Sequence, residues 1–271
     1  LDGADVYFDA LAALTRPAEA PAERGKPLAG RRALVADNNL ANRRFITMLL
    51  QGLGAEVDEA HDGLAAVAAW QAKRPQFLLM DVHMPGLDGF AAAREIRSRE
   101  GAAREVVILG ISAFLEEDER RTLPLSGLDG ALLKPFDERQ LLRALSPWLQ
   151  LQATQPAAAT EKSDPLASDP QLLSLLVTEL PAQLRELEEA YAKGDAEALR
   201  AAAHTLHGTA AFYRLKPLKQ AAQSMELRLA EGGAQQARLR DDISQLRGAV
   251  LGAVKDIRRQ QLETANGNYL H

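Results

Sequence analysis

The chain has 271 residues, 46% of them hydrophobic and 25% charged, with a formal net charge of −5. That mix is ordinary for folded domains and excludes wholesale disorder, a collagen-like repeat or a coiled-coil rod, while the length asks for two domains. The acidic balance leaves no electrostatic footprint for nucleic acid, and the absence of cysteine removes disulfide scaffolds, thiolate metal sites and thiol catalysis. No apolar run approaches the roughly 20 residues of a membrane span, and no signal peptide heads the chain. The chain starts at Leu1 rather than Met, which reads as a piece excised from a longer protein.

In chain order, the head Leu1–Leu14 alternates Val6, Phe8 and Ala10 and reads as a strand belonging to something upstream. Residues 15–29 (TRPAEAPAERGKPLA) are rich in Pro, Ala and charge without an apolar period, so they read as a linker. Residues 30–150 then alternate short apolar runs with helical patterns. Strands are expected at Arg32–Ala36, Ala55–Ala60, Gln76–Met80, Val106–Ile111 and Gly130–Leu133. Helices are expected at Leu40–Leu53, Leu64–Lys73, Gly89–Arg99, Glu116–Leu123 and Glu138–Leu149. Such alternation predicts an α/β doubly wound, five-stranded parallel sheet of flavodoxin-like type, whose ligands bind beyond the carboxyl ends of the strands.

The residues at those ends form a short list. Asp37 and Asn38 follow the first strand, Asp81 the third, Ser112 the fourth, and Lys134 with Pro135 the fifth. A lone Asp at a strand end is usually a turn residue or a helix cap, but five such positions in this chain order are not accidental. Carboxylates, an amide and backbone carbonyls suit a hard cation such as Mg²⁺. A hydroxyl and an ammonium beside them suit phosphoryl oxygens. Asp81, in the middle, is then a nucleophile for phosphoryl transfer, giving an acyl phosphate.

A second linker is expected at residues 151–168 (LQATQPAAATEKSDPLAS), and everything after it reads as helix. Residues 169–261 predict an all-α bundle of four or five helices with breaks at Pro181, Gly194–Asp195, Lys216–Pro217 and Gly232–Gly233, followed by a tail over residues 262–271. Asp195 suits an N-cap, and Pro170 and Pro181 suit first-turn positions. One helix carries AAAHTLHGTAAFY. Leu199, Ala203, Leu206 and Ala210 define its core face; His204 points away from that face beside Gly208, and His207 borders the core. A glycine inside a helix costs roughly 1 kcal/mol relative to Ala, and close approach of another backbone or of a docked domain beside His204 would explain it. An exposed imidazole beside a bare glycine suits a phosphoryl shuttle.

Residues 30–150, with LLMDVHMPGLDG around Asp81 and LLKPF around Lys134, resemble the receiver domain of two-component response regulators and hybrid sensor kinases. The resemblance implies phosphorylation of Asp81, supporting roles for Ser112 and Lys134, and Mg²⁺ held by Asp37, Asn38, Asp81 and the backbone carbonyl of His83. The family usually has a second acid at the position of Asn38, which implies a weakened metal site, and an aromatic residue at the position of Ala131. The string His204-Thr205-Leu206-His207-Gly208 is similar to the signature of the histidine-phosphotransfer (HPt) domain, with His207 where Lys is commoner. That implies phosphohistidine at His204, with Lys216 or Lys219 as substitute cations.

Receiver followed by HPt resembles part of a tripartite hybrid sensor kinase, and the head is similar to the closing strand of its ATP-binding domain. The implied function is a bacterial phosphorelay: phosphate arrives from an upstream histidine kinase domain, passes from Asp81 to His204 and leaves for a downstream response regulator. The kinase core itself is not in these residues. The implied location is cytoplasmic, on a parent anchored in the inner membrane. Two rivals remain at this stage: a non-catalytic docking module that binds a kinase or regulator, and a metal-dependent phosphatase on the same fold.

Overall fold

Short extended runs become the strands of a parallel sheet, the three central ones apolar and buried and the two edge strands partly exposed. In a computed structural model describing residues 26–101, 104–113, 126–149, 169–230 and 236–267, these are β1 (Arg32–Ala36), β2 (Glu56–Ala60), β3 (Phe77–Asp81), β4 (Val107–Ser112) and β5 (Gly130–Leu133). They pair in parallel in the order β2-β1-β3-β4-β5. The helices beside them are α1 (Leu40–Gly52), α2 (Gly63–Lys73), α3 (Gly89–Glu100) and α4 (Glu138–Leu149). The helix expected over Glu116–Leu123, the head and the linker over residues 151–168 lie outside the described residues.

Two strands sit one residue further along than the sequence suggests. Gln76 stays outside β3, its Oε1 accepting the Arg32 N–H at 2.6 Å, and the ladder instead carries through to Asp81, paired with Ile111. β4 likewise runs on to Ser112, opposite Leu133. Asp81 and Ser112 therefore terminate strands instead of following them, and each takes its direction from the ladder. The expected first linker also ends early: Leu28 is fully buried and donates its N–H to the Leu53 carbonyl at 3.0 Å.

Alternation along the strands divides the core. Leu34, Ala36, Leu78, Met80 and Ile108 pack under α2 and α3. Ala33, Val35, Phe77, Leu79, Leu109 and Ile111 face α1 and α4, and this cluster continues without a break into the helical segment.

That segment is α5 (Pro170–Lys193), α6 (Ala196–Phe212), α7 (Lys216–Ala230) and α8 (Gln236–Gly267). Asp169 and Asp195 cap α5 and α6 by accepting backbone N–H groups. The break expected at Pro181 does not occur; Pro181 lies inside α5. Its ring removes one intrahelical donor, but the stripe Leu173, Leu176, Leu180, Leu184, Leu187 runs across it in register and is buried throughout. Burial of that stripe outweighs the lost bond. α8 meets no breaker at residue 261 and continues to Gly267.

Candidate functional site

Parallel pairing brings the loops after β1, β3 and β5 to one edge, and a buried ion triad forms there. Lys134 Nζ lies 3.0 Å from Asp37 Oδ2 and 2.8 Å from Asp81 Oδ2. The remaining oxygens are held by backbone: Asp37 Oδ1 accepts the Asn39 N–H at 2.8 Å and Asp81 Oδ1 the His83 N–H at 3.1 Å. Ser112 is buried beside them, and its carbonyl accepts the Lys134 N–H at 2.7 Å. The turn after β3 needs its glycines. Gly86 has a φ of +79°, and a Cβ on Gly89 would stand 2.3 Å from the Asp81 carbonyl oxygen, so α3 starts hard against the strand only because that atom is missing.

Two carboxylates on one ammonium leave the triad unequal. Burial, helped by repulsion from Asp81, pushes the Asp37 carboxyl up to about 6 against the pull of Lys134. Burial pushes Asp81 up as well, but Lys134, His204 and the His83 N–H together outweigh it and hold that carboxyl below its ordinary value. Burial alone would discharge Lys134; the two carboxylates keep it charged, with its pKa raised. Asp81 is thus the group held as an anion, as a nucleophile requires.

On α6, His204 and His207 share one carboxylate. Glu226 on α7 places Oε1 2.7 Å from His204 Nδ1 and Oε2 2.5 Å from His207 Nδ1. An imidazole nitrogen facing a carboxylate carries the proton, so His204 presents Nε2 with its lone pair outward. Burial would raise the Glu226 carboxyl, but the two imidazoles bring it down to about 2. His207 is buried and its Nε2 has no partner; it braces Glu226 and offers nothing to the surface.

His204 does not face open water as its helical position suggests. The receiver edge covers it: the His204 ring lies 4.1 Å from the His83 ring, centroid to centroid. One donor atom each of Asp81, His83 and His204 lie within 4.8 Å of one another. A narrow cleft between the segments is lined by Asn38, Asn42, Asp81, Lys134, His204 and Gly208 among others. A Cβ on Gly208 would lie 3.8 Å from Asn42 Nδ2 and 3.9 Å from Lys134 Nζ. The missing side chain therefore faces the neighbouring domain, and the cation nearest it comes from the receiver. Lys216 lies elsewhere, lining a groove between α7 and α8.

Around this cleft α1 packs against α5 and α6. Phe212 sits between Phe45 and Phe136, each 5.3 Å away by ring centroid, and Tyr213 lies 5.7 Å from Phe45. Tyr213 donates its hydroxyl to the Ala41 carbonyl at 2.9 Å. Asn39 Nδ2 donates to Thr209 Oγ1 at 2.7 Å, while Asn39 Oδ1 caps α1 through the Asn42 N–H. The sequence-predicted Asp37, Asn38, Asp81, His83, Lys134 and His204 all meet at this edge, with Ser112 behind it. Glu226, Asn39, Asn42, Thr209 and the aromatic cluster were not foreseen. Asn39 carried a cap signal; the others depend on contacts between distant segments and gave none.

Comparison with known proteins agrees with this geometry. Residues 33–146 match the response regulator receiver domain and residues 171–251 the Hpt domain. The sensor protein GacS of Pseudomonas syringae pv. syringae is 33% identical over 250 residues, 82% of this chain but 27% of that protein. The sensor protein EvgS of Escherichia coli is 29% identical, covering 72% of this chain and 17% of its own length. The chain thus spans about a quarter or less of these relatives. Among solved structures, the receiver domain of the sensor histidine kinase PA1611 of Pseudomonas aeruginosa, described with magnesium in its active-site cleft, is 34% identical, with a TM-score of 0.42, over 45% of this chain and 99% of its own. No helix among the described residues is long and apolar enough to cross a membrane. The chain belongs to the receiver family in its first described half and to the Hpt family in its second, the pairing of the hybrid sensor kinases it resembles.

Proposed function

We propose that this segment relays phosphoryl groups between Asp81 and His204, receiving them from a histidine kinase domain and delivering them to the receiver of a separate response regulator. The observation that carries the reading is the juxtaposition of Asp81 and His204 donor atoms within 4.8 Å, in a cleft lined by residues of both domains. A phosphorus bonded to one atom is then about 3 Å from the other, which is near-attack distance.

Starting from the acyl phosphate, the Nε2 lone pair of His204 attacks phosphorus, the bond from phosphorus to the Asp81 oxygen breaks, and Asp81 leaves as a carboxylate. Lys134, 2.8 Å from that carboxylate, compensates the charge as it returns. Glu226 holds the Nδ1 proton and stabilises the positive charge that grows on the ring. Ser112 and Lys134 grip phosphoryl oxygens, and the aromatic packing keeps bulk water away, so hydrolysis does not compete. Asp37, Asp81, the Asn38 amide and the His83 carbonyl form an all-oxygen set that fits Mg²⁺; when bound, the ion neutralises phosphoryl charge. With one carboxylate fewer than two adjacent acids would supply, binding is weak. The parent protein, by this reading, is anchored in the inner membrane with these domains in the cytoplasm.

The test is phosphotransfer from a labelled kinase to a receiver in trans. Asp81→Asn should block loading, and His204→Gln should load but not deliver. Delivery by His204→Gln at the wild-type rate would overturn the assignment. Mixing the two variants separates routes, since delivery restored in the mixture requires transfer between chains.

A further inference from the structure

We propose that the docked interface is also a binding site for a divalent transition-metal ion of the Zn²⁺ class, held by Asp81, the side chain of His83 and Nε2 of His204. This differs from the all-oxygen Mg²⁺ set, which uses only the backbone carbonyl of His83 and nothing from the helical domain. Borderline cations prefer imidazole nitrogen, and two imidazoles with one carboxylate leave a fourth position for water.

The geometry is close to what such an ion needs. The three donor atoms lie within 4.8 Å of one another, whereas tetrahedral ligands about 2.0–2.1 Å from zinc stand roughly 3.4 Å apart. Small rotations of two side chains close the difference. The His83 and His204 rings already meet at 4.1 Å. His204 Nδ1 is fixed on Glu226 at 2.7 Å, the carboxylate–histidine arrangement that fixes the tautomer of a metal-ligating imidazole and raises its basicity. Charge also favours a cation: Asp81 lines the cleft, and Asp37 and Glu226 stand directly behind its Lys134 and His204, with Lys134 as the opposing ammonium.

Because its ligands come from both domains, the ion would hold the receiver on the Hpt surface and occupy the space through which phosphorus must pass. Bound metal is therefore an inhibitor of the relay and a stabiliser of the docked chain.

The test is a calorimetric titration of the 271-residue chain with ZnCl₂ in the absence of any phosphodonor, so that the result does not depend on the relay. One equivalent should bind. His83→Gln and His204→Gln should each weaken binding at least tenfold, with folding checked by circular dichroism, and zinc should raise the melting temperature of the wild type more than of either variant. Co²⁺ in place of zinc should give the visible bands of a tetrahedral site, absent in both variants. His61, exposed beside Asp62, supplies the control: His61→Gln should bind as the wild type does. Unchanged affinity in both His83→Gln and His204→Gln, or loss confined to His61→Gln, would overturn the proposal.

Discussion

In the proposed Mg²⁺ site, Asn38 is the residue expected to set the strength of binding. An amide oxygen donates to Mg²⁺, but a carboxylate adds the field that offsets the ion's dehydration. Asn38→Asp should tighten Mg²⁺ binding about tenfold in a fluorescence titration; equal or weaker binding would mean that the amide is not at the site. Glu226 makes a different prediction. Its carboxyl titrates at about 2, against 4.5 ordinarily, so its stabilising contribution is complete above pH 4.5 and is lost as pH falls toward 2. Between those limits the wild type should lose on the order of 2–3 kcal/mol more stability than Glu226→Gln, measured by urea unfolding at a series of pH values. Parallel pH profiles would show that the carboxylate does not hold the two imidazoles. The two residues were not equally legible. Asn38 sits at a strand end, where chain order alone brings it to the edge with Asp81. Glu226 meets His204 across 22 residues and a helix turn, and nothing in its own surroundings marks it.

At the scale of elements, buried parallel strands were readable because runs buried on both faces have no solvent alternation to confuse them. Their last residue was less so, since it is fixed by the neighbouring strand: Asp81 joins β3 because Ile111 is there to pair with it. Pro181 misled in the opposite direction, as local chemistry predicted a break that the stripe of α5 overrode. Gly208 does face another domain, as one of the two explanations for it supposed, but its neighbours Asn42 and Lys134 of the receiver stand at ordinary contact distance from a Cβ, and no local pattern names them. Its space is shallow. A Cβ there would make ordinary contact with both, so Gly208→Ala should keep the relay within about threefold and add helix stability of roughly 0.5–1 kcal/mol. Gly208→Leu extends into the atoms of Lys134 and should slow transfer at least a hundredfold while circular dichroism remains unchanged. Equal rates for Ala and Leu would mean that the domains do not meet at this glycine during transfer.

Among the described residues, one of the two hydrophobic clusters runs from the receiver sheet through α1 into α5–α8, so the Hpt surface around His204 is already covered by its own receiver. In the proposed relay a separate response regulator uses that same surface, and would have to wait for the domains to part. The tether keeps the cis receiver at high effective concentration, so docking favours loading of His204 and opposes its discharge to a partner. The two sides of the interface can be told apart by mutation. Phe45 belongs to the cis receiver, whereas Phe212 belongs to the Hpt side of the same contact, which the proposed relay offers to a second receiver as well. Removing either ring from a packed site costs roughly 3–5 kcal/mol, much of it here as weakened docking. Phe45→Ala should therefore slow transfer from Asp81 to His204 within the chain, while speeding discharge from pre-loaded His204 to a separate receiver. Phe212→Ala should slow both. Rapid-quench measurement of each half-reaction decides it: if Phe45→Ala slows discharge as much as Phe212→Ala does, the cis receiver is not the cover over His204 in solution.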